Sequence, residues 1–167
     1  MILTRKTIIS LIAFVLVSTT IGTTLVITLN NNTEFQTNLL NSPEIVHHNG
    51  YDLILETFLW RDFMPGSNSE GSDLMAIIFI IAENAMEFPQ SIDAVRMWIF
   101  NGEDVWETDL EDLPEDYPKN NNELVKRADG GPKWETKISV DVVIKLRTIQ
   151  GENYFIKAIN QYIEETW

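Results

Sequence analysis

From Tyr51 onward the chain reads as short apolar runs separated by turn residues. The clearest run is Lys137 to Arg147, KISVDVVIKLR, in which Ile138, Val140, Val142, Ile144 and Leu146 alternate with Ser139, Asp141, Val143 and Lys145. Period-two alternation of this length predicts a strand with one face on a core and the other towards water. A one-residue slip would turn all five apolar side chains outward, so the register is firmly specified. Gly130-Gly131-Pro132 ends whatever precedes this strand, and Trp134 is placed to cover the edge of the core.

The same pattern predicts six further strands. Tyr51 to Trp60 is rich in strand formers, and DFMPGSNSEGS after it reads as a loop. Asp73 to Ala82, DLMAIIFIIA, is nearly all apolar and reads as a buried strand rather than a helix. Ile92 to Phe100 and the VWET segment flank Asn-Gly, whose readiness for positive φ makes it a hairpin signal. Short runs at Leu124 to Ala128 and Asn153 to Ile163 complete the set. About seven strands without an amphipathic helix predict an all-β fold, an antiparallel β-sandwich. In strand number, length and a Trp-bearing middle strand it resembles the immunoglobulin and fibronectin type III class. The resemblance is architectural, covers 51–167, and lacks the cysteine pair of true immunoglobulin domains.

Before Tyr51 the pattern is different. Thr7 to Leu29 is an uncharged run of 23 residues rich in Ile, Leu, Val and Phe, and about 20 such residues in a helix cross the hydrocarbon core. Arg5 and Lys6 precede it and no base follows until Arg61. The positive-inside tendency then leaves 1–6 in the cytoplasm and everything after the span outside. The run is longer than a signal-peptide core and ends in no A-x-A site, so an uncleaved signal-anchor is expected over a cleaved signal. Residues 30–50, polar and Asn-rich, read as a tether to the domain at 51–167.

Charge narrows the partners. There are 25 acidic and 12 basic residues; without Arg5 and Lys6, 10 bases face 25 acids, a charge of −15. Nucleic acid is an unsuitable partner for such a field. The chain has no cysteine, which removes disulfides, thiol nucleophiles and zinc–thiolate sites.

Catalytic groups are sparse. The only histidines, His47 and His48, are neighbours in the expected tether and point differently in an extended chain. No G-x-S-x-G elbow, phosphate loop or dinucleotide fingerprint occurs. The densest acidic stretch, GEDVWETDLEDLPEDYP, offers Asp109, Glu111 and Asp112 as calcium candidates, though EF-hand spacing is missing. The aromatics are the stronger lead: Trp60, Arg61, Asp62 and Phe63 form one candidate binding loop, and Trp98, Trp106 and Trp134 stand further along. Trp98 shares a strand with Arg96, so it is either an outward aromatic or the core tryptophan of the sandwich.

The expectation is therefore a single-pass membrane protein, held in the bilayer by residues 7–29, whose outer domain binds or assembles with another envelope protein. No enzyme activity and no cofactor are expected. The alternatives are a carbohydrate-binding module using exposed tryptophans on a glycan, and a metal-dependent hydrolase using the acidic loop.

Overall fold

The computed structural model describes residues 33–64 and 70–167. The chain divides into two units, Met1–Leu39 and Leu40–Trp167. A helix covers 33–40. Among the described residues no helix is long and apolar enough to cross a membrane. The span expected at 7–29 lies outside them, as do 30–32 of the expected tether.

The second unit is all-β. Its strands are β1 (Ile45–His48), β2 (Tyr51–Asp62), β3 (Leu74–Ala82), β4 (Ile92–Asn101), β5 (Asp104–Asp109), β6 (Glu111–Asp112), β7 (Glu123–Gly131), β8 (Ser139–Thr148) and β9 (Asn153–Thr166). All seven segments with strand-like patterning form strands. The two additional strands, β1 and β6, are too short for alternation to mark them. β1 and the helix at 33–40 occupy the stretch expected to be a tether. That stretch is less featureless than its polarity suggests, since Val46 and His48 are both buried.

The strands form one nearly closed, barrel-like sheet in the order β5-β4-β8-β9-β2-β3-β7-β6, with β1 attached to β2. Every pairing is antiparallel except β2 with β9, which is parallel through Leu59↔Ile163 to Asp62↔Thr166. This departs from the wholly antiparallel expectation, and the cause lies in β9. Its first half pairs with β8, and then Asn160 takes a positive φ of 55° and the ladder shifts register. The Asn160 N–H donates to the Asp141 carboxylate at 2.9 Å, fixing the irregularity. Beyond it β9 stays paired with β8 through Gln161 and Tyr162, and from Ile163 it runs beside β2, joining the two halves of the sheet. Where β2 and β9 diverge, β1 fills the gap, and the Lys157 N–H donates to the Pro43 carbonyl at 2.9 Å.

The interior follows the alternation. Val140, Val142, Ile144 and Leu146 of β8 are at most 3% exposed and meet Leu53, Leu59, Ile78, Ile80, Met97 and Ile99 from the other strands. Each such side chain contributes about 1.5–3 kcal/mol by leaving water. In β4 the alternation is broken by a bulge between Ala94 and Arg96. Ile92, Ala94, Met97 and Ile99 therefore point to the core, while Arg96, Trp98 and Phe100 share the outer face. An unbroken two-residue period, which would pair Val95 with Met97 and Ala94 with Arg96, fails at this one extra residue.

The barrel closes at a seam. The chain leaves β5 on the β4 edge, passes Leu110, whose N–H donates to the Val95 carbonyl at 3.1 Å, and joins β7 as β6. Trp106 of β5 lies in the core against Gly131 of β7, where any Cβ would come within 2.7 Å of the indole. Glycine is required there by the close approach of the ring.

Candidate functional site

Residues 59–64, the described part of the LWRDFMPG stretch, cap one end of the barrel. Arg61 continues the inward row of Leu53, Leu55 and Leu59 on β2, so a guanidinium enters the interior and is 5% exposed. Among the described residues no carboxylate pairs with it, not even its neighbour Asp62. Instead Nε donates to the Ser72 carbonyl at 2.9 Å, Nη1 to the Trp134 carbonyl at 2.6 Å, and Nη2 to the Glu70 carbonyl. Three backbone acceptors satisfy its fork, which ties β2 to the loop before β3 and to the β7–β8 connection. Phe63 lies beside it, with its ring centroid 5.1 Å from the guanidinium carbon and 5.7 Å from the Trp167 ring. Gly71, at φ +75°, leaves room for the Phe63 ring. Asp62 turns the chain by accepting the Met64 N–H at 2.8 Å.

Four of the sequence candidates, Arg61, Asp62, Phe63 and Trp134, thus lie at one end of the barrel. Trp134 is half-buried and packed on the core, as the Gly-Gly-Pro context implied. The other tryptophans lie elsewhere. Trp106 is a core residue at the seam. Trp98 combines both sequence readings, since it stands on the outer face of β4 yet is only 4% exposed, its ring 6.0 Å from that of Phe155. Neither Trp98 nor Trp106 presents an open ring face. Trp60 does more: on the outer face of β2 it stacks on Phe58 with centroids 5.0 Å apart and planes 21° apart.

The acidic segment serves the seam. Asp109 and Glu107 both engage Arg96, at 2.7 and 2.9 Å, Glu111 engages Arg127 at 3.1 Å, and Asp112 engages Lys126 at 2.7 Å. The hydrogen bond and charge of Arg96 hold the Asp109 carboxyl below its ordinary value, and Asp109 in turn raises Arg96. Lys126 is the second buried cation. It takes an inward position on β7 and its ammonium reaches Asp93 of β4 and Asp112 of β6, each at 2.7 Å, across the seam. Burial alone would lower its pKa, but hydrogen bonds to Asp112 and Asp93 outweigh that and raise it. The calcium candidates Asp109, Glu111 and Asp112 are therefore ion-pair partners of three different cations. Among the described residues no group of three or more His, Asp or Glu is arranged to hold a metal. A polar cleft of about 780 Å³ opens beside Lys126, lined by Asp93, Asp112, Tyr117 and Asn120 among others.

The histidines do not converge. His47 is exposed and its Nδ1 meets the Asp52 carboxylate at 2.5 Å, while His48 turns inward, hydrogen-bonds Asn49 and meets the Tyr154 ring edge-on.

The surface that sequence reasoning overlooked is the outer wall of β2, β3 and β9. Met75, Ile77, Phe79 and Ile81 alternate with the core residues of β3, and the ladder sets Ile77 opposite Phe58 and Met75 opposite Trp60. Tyr162 stands on β9, 45% exposed, and Phe58 is 43% exposed. A signal was present, since a strand apolar at every position asks for cover on both faces. Beside it, YDLILETFLW carries Phe58 and Trp60 in the polar half of its alternation. Comparison with family models, curated proteins and solved structures found no match.

Proposed function

We propose that this is a single-span protein of the cell envelope, N-terminus inside, whose β domain stands outside the cytoplasm and works as a protein-binding or assembly module. We read the two facing halves of that domain as the layers of an immunoglobulin-like sandwich in outline. The observation that carries the binding reading is the outer wall of β2, β3 and β9. Its Phe58–Trp60 stack, Met75, Phe79 and Tyr162 form an aromatic and aliphatic surface left partly open on an otherwise acidic chain. Partly exposed aromatic and aliphatic side chains of this kind, here interspersed with Glu56, Arg127 and Glu164, mark contact sites, and Trp, Tyr and Phe are the side chains that dominate them. The partner is a protein with a complementary apolar patch, docked face to face. The pairwise neutralisation of the acidic segment supports this reading over a metal-dependent hydrolase.

Two experiments test it. Alkaline extraction of native membranes should leave the chain in the pellet and expose its C-terminal domain to protease only from the outside; release into the supernatant opposes the anchored reading. On native gels the full chain should migrate with a partner, and Phe58→Ser with Tyr162→Ser should free it without loss of folding. Glycan binding abolished by Trp60→Ala, with no protein partner lost, would replace the protein reading with the carbohydrate one.

A further inference from the structure

The outer face of β4 and β8 carries a second, chemically opposite feature. The β4–β8 ladder sets Arg96 directly opposite Lys145, and Arg147 follows two residues along on the same face. With Val95 and Asp109 these three cations line a pocket of about 400 Å³. The arrangement is costly, because like charges directly opposite in a sheet repel. It also depends on the bulge between Ala94 and Arg96, which re-aims Arg96 to the outer face.

The charge balance identifies the missing component. Arg96 is engaged by Glu107 and Asp109. Lys145 and Arg147 form no ion pair among the described residues, although acids outnumber bases 25 to 12 in the chain. The charge of Arg147 does reach the site, where it helps to hold the Asp109 carboxyl low. Two cations left over, beside an arginine already fixed by its own carboxylates, match a group bearing about two negative charges. A phosphomonoester carries roughly −1.5 to −2 at neutral pH, whereas a carboxylate carries one charge and a phosphodiester one. Arginine adds paired N–H donors suited to phosphate oxygens, and lysine adds a compact charge.

We propose that Arg96, Lys145 and Arg147 form a binding site for a phosphomonoester group. Lys145 and Arg147 neutralise its oxygens, and Arg96, held by Glu107 and Asp109, positions one edge of the pocket. The site is independent of the apolar wall and of its protein partner. The phosphate can arrive free or as the headgroup of a lipid, and the two sources are separable.

The test uses the full chain in an uncharged maltoside detergent, titrated with inorganic phosphate and followed by backbone amide resonances. A second arm measures binding to vesicles of neutral lipid with and without phosphatidic acid. The expected result is saturable shifts confined to 95–97 and 145–147, and a Kd raised about tenfold or more in Lys145→Gln with Arg147→Gln. The double variant Lys119→Gln with Lys133→Gln removes the same charge elsewhere and should leave the Kd within about twofold. Binding of phosphatidic acid vesicles alone, lost in the first double variant, supports the site and names the headgroup as its source. Absence of saturable binding in both arms, or equal weakening by the two double variants, overturns the proposal.

Discussion

The β3 wall and the β8 wall enclose the same core and obey the same inward alternation, yet what their outer faces expose differs. Outward from β3 stand Met75, Ile77, Phe79 and Ile81, with Phe58 and Trp60 alongside on β2. Outward from β8 stand Asp141, Val143, Lys145 and Arg147, with Arg96, Trp98 and Phe100 alongside on β4; Val143, Trp98 and Phe100 are buried, so what this face exposes is mainly charged. Interior packing needs only one face of each strand, so the outer faces are free to differ. What distinguishes the two walls is therefore unrelated to closing the barrel.

The largest expected effect removes the common interior and with it the comparison. Val142→Asp places a carboxylate where exposure is 0%. The cost of several kcal/mol, added to lost packing, exhausts a typical stability, so circular dichroism should show an unfolded domain. Asp141→Ala, one residue away on the outer face, forfeits the bond from the Asn160 N–H and should cost about 1 kcal/mol. A folded Val142→Asp domain would break the inward–outward assignment of β8.

The two buried cations sharpen the same contrast. Arg61→Met strands three backbone carbonyls at the capped end and loosens Phe63 and Trp134, a loss of about 3 kcal/mol in denaturant melts. Lys126→Met leaves behind Asp93 and Asp112, which are 54% and 84% exposed and can return to water. That loss should stay near 1 kcal/mol, because the partners are hydrated in the variant. The Lys126 pKa is raised in the folded state, so its contribution is complete below the ordinary lysine value and disappears as pH rises through the raised one. Alkaline destabilisation should accordingly shrink in Lys126→Met.

The smallest effect concerns the charged wall alone. The folded-state pKa of Asp109 is lowered, so its ion pair with Arg96 is present above the ordinary carboxylate value and is lost as pH falls through the lowered one. Carboxyl NMR titration should find Asp109 moving up to its ordinary range in Arg96→Gln. No change would detach Asp109 from that wall's charge network.

Much of this was legible from residue order. The KISVDVVIKLR alternation places four core residues and the outward Lys145 correctly, and DLMAIIFIIA gives a strand with apolar residues on both faces. Less legible were the features decided by partners distant in sequence. Arg61 was legible only as part of a binding loop with Trp60, Asp62 and Phe63, whereas its acceptors are carbonyls of residues 70, 72 and 134. The bulge at Val95 resets the phase of β4, so an unbroken period sets Ala94 wrongly beside Arg96, Trp98 and Phe100. The parallel β2–β9 join and the Arg96, Lys145 and Arg147 pocket arise from pairing register, to which a run of alternating residues is blind. The acidic segment illustrates the converse: eight closely spaced carboxylates suggested a ligand, and four of them instead meet cations on the strands they pair with.

The central claim is that the β2–β3–β9 wall is a protein-docking face, and a photo-crosslinking residue placed at position 58 of the full chain in native membranes tests it most directly. The same residue at position 141, outward on β8, is the reference. A discrete protein adduct from position 58 that is absent from position 141 is the predicted result. No adduct at 58, or the same diffuse products from both walls, would contradict it.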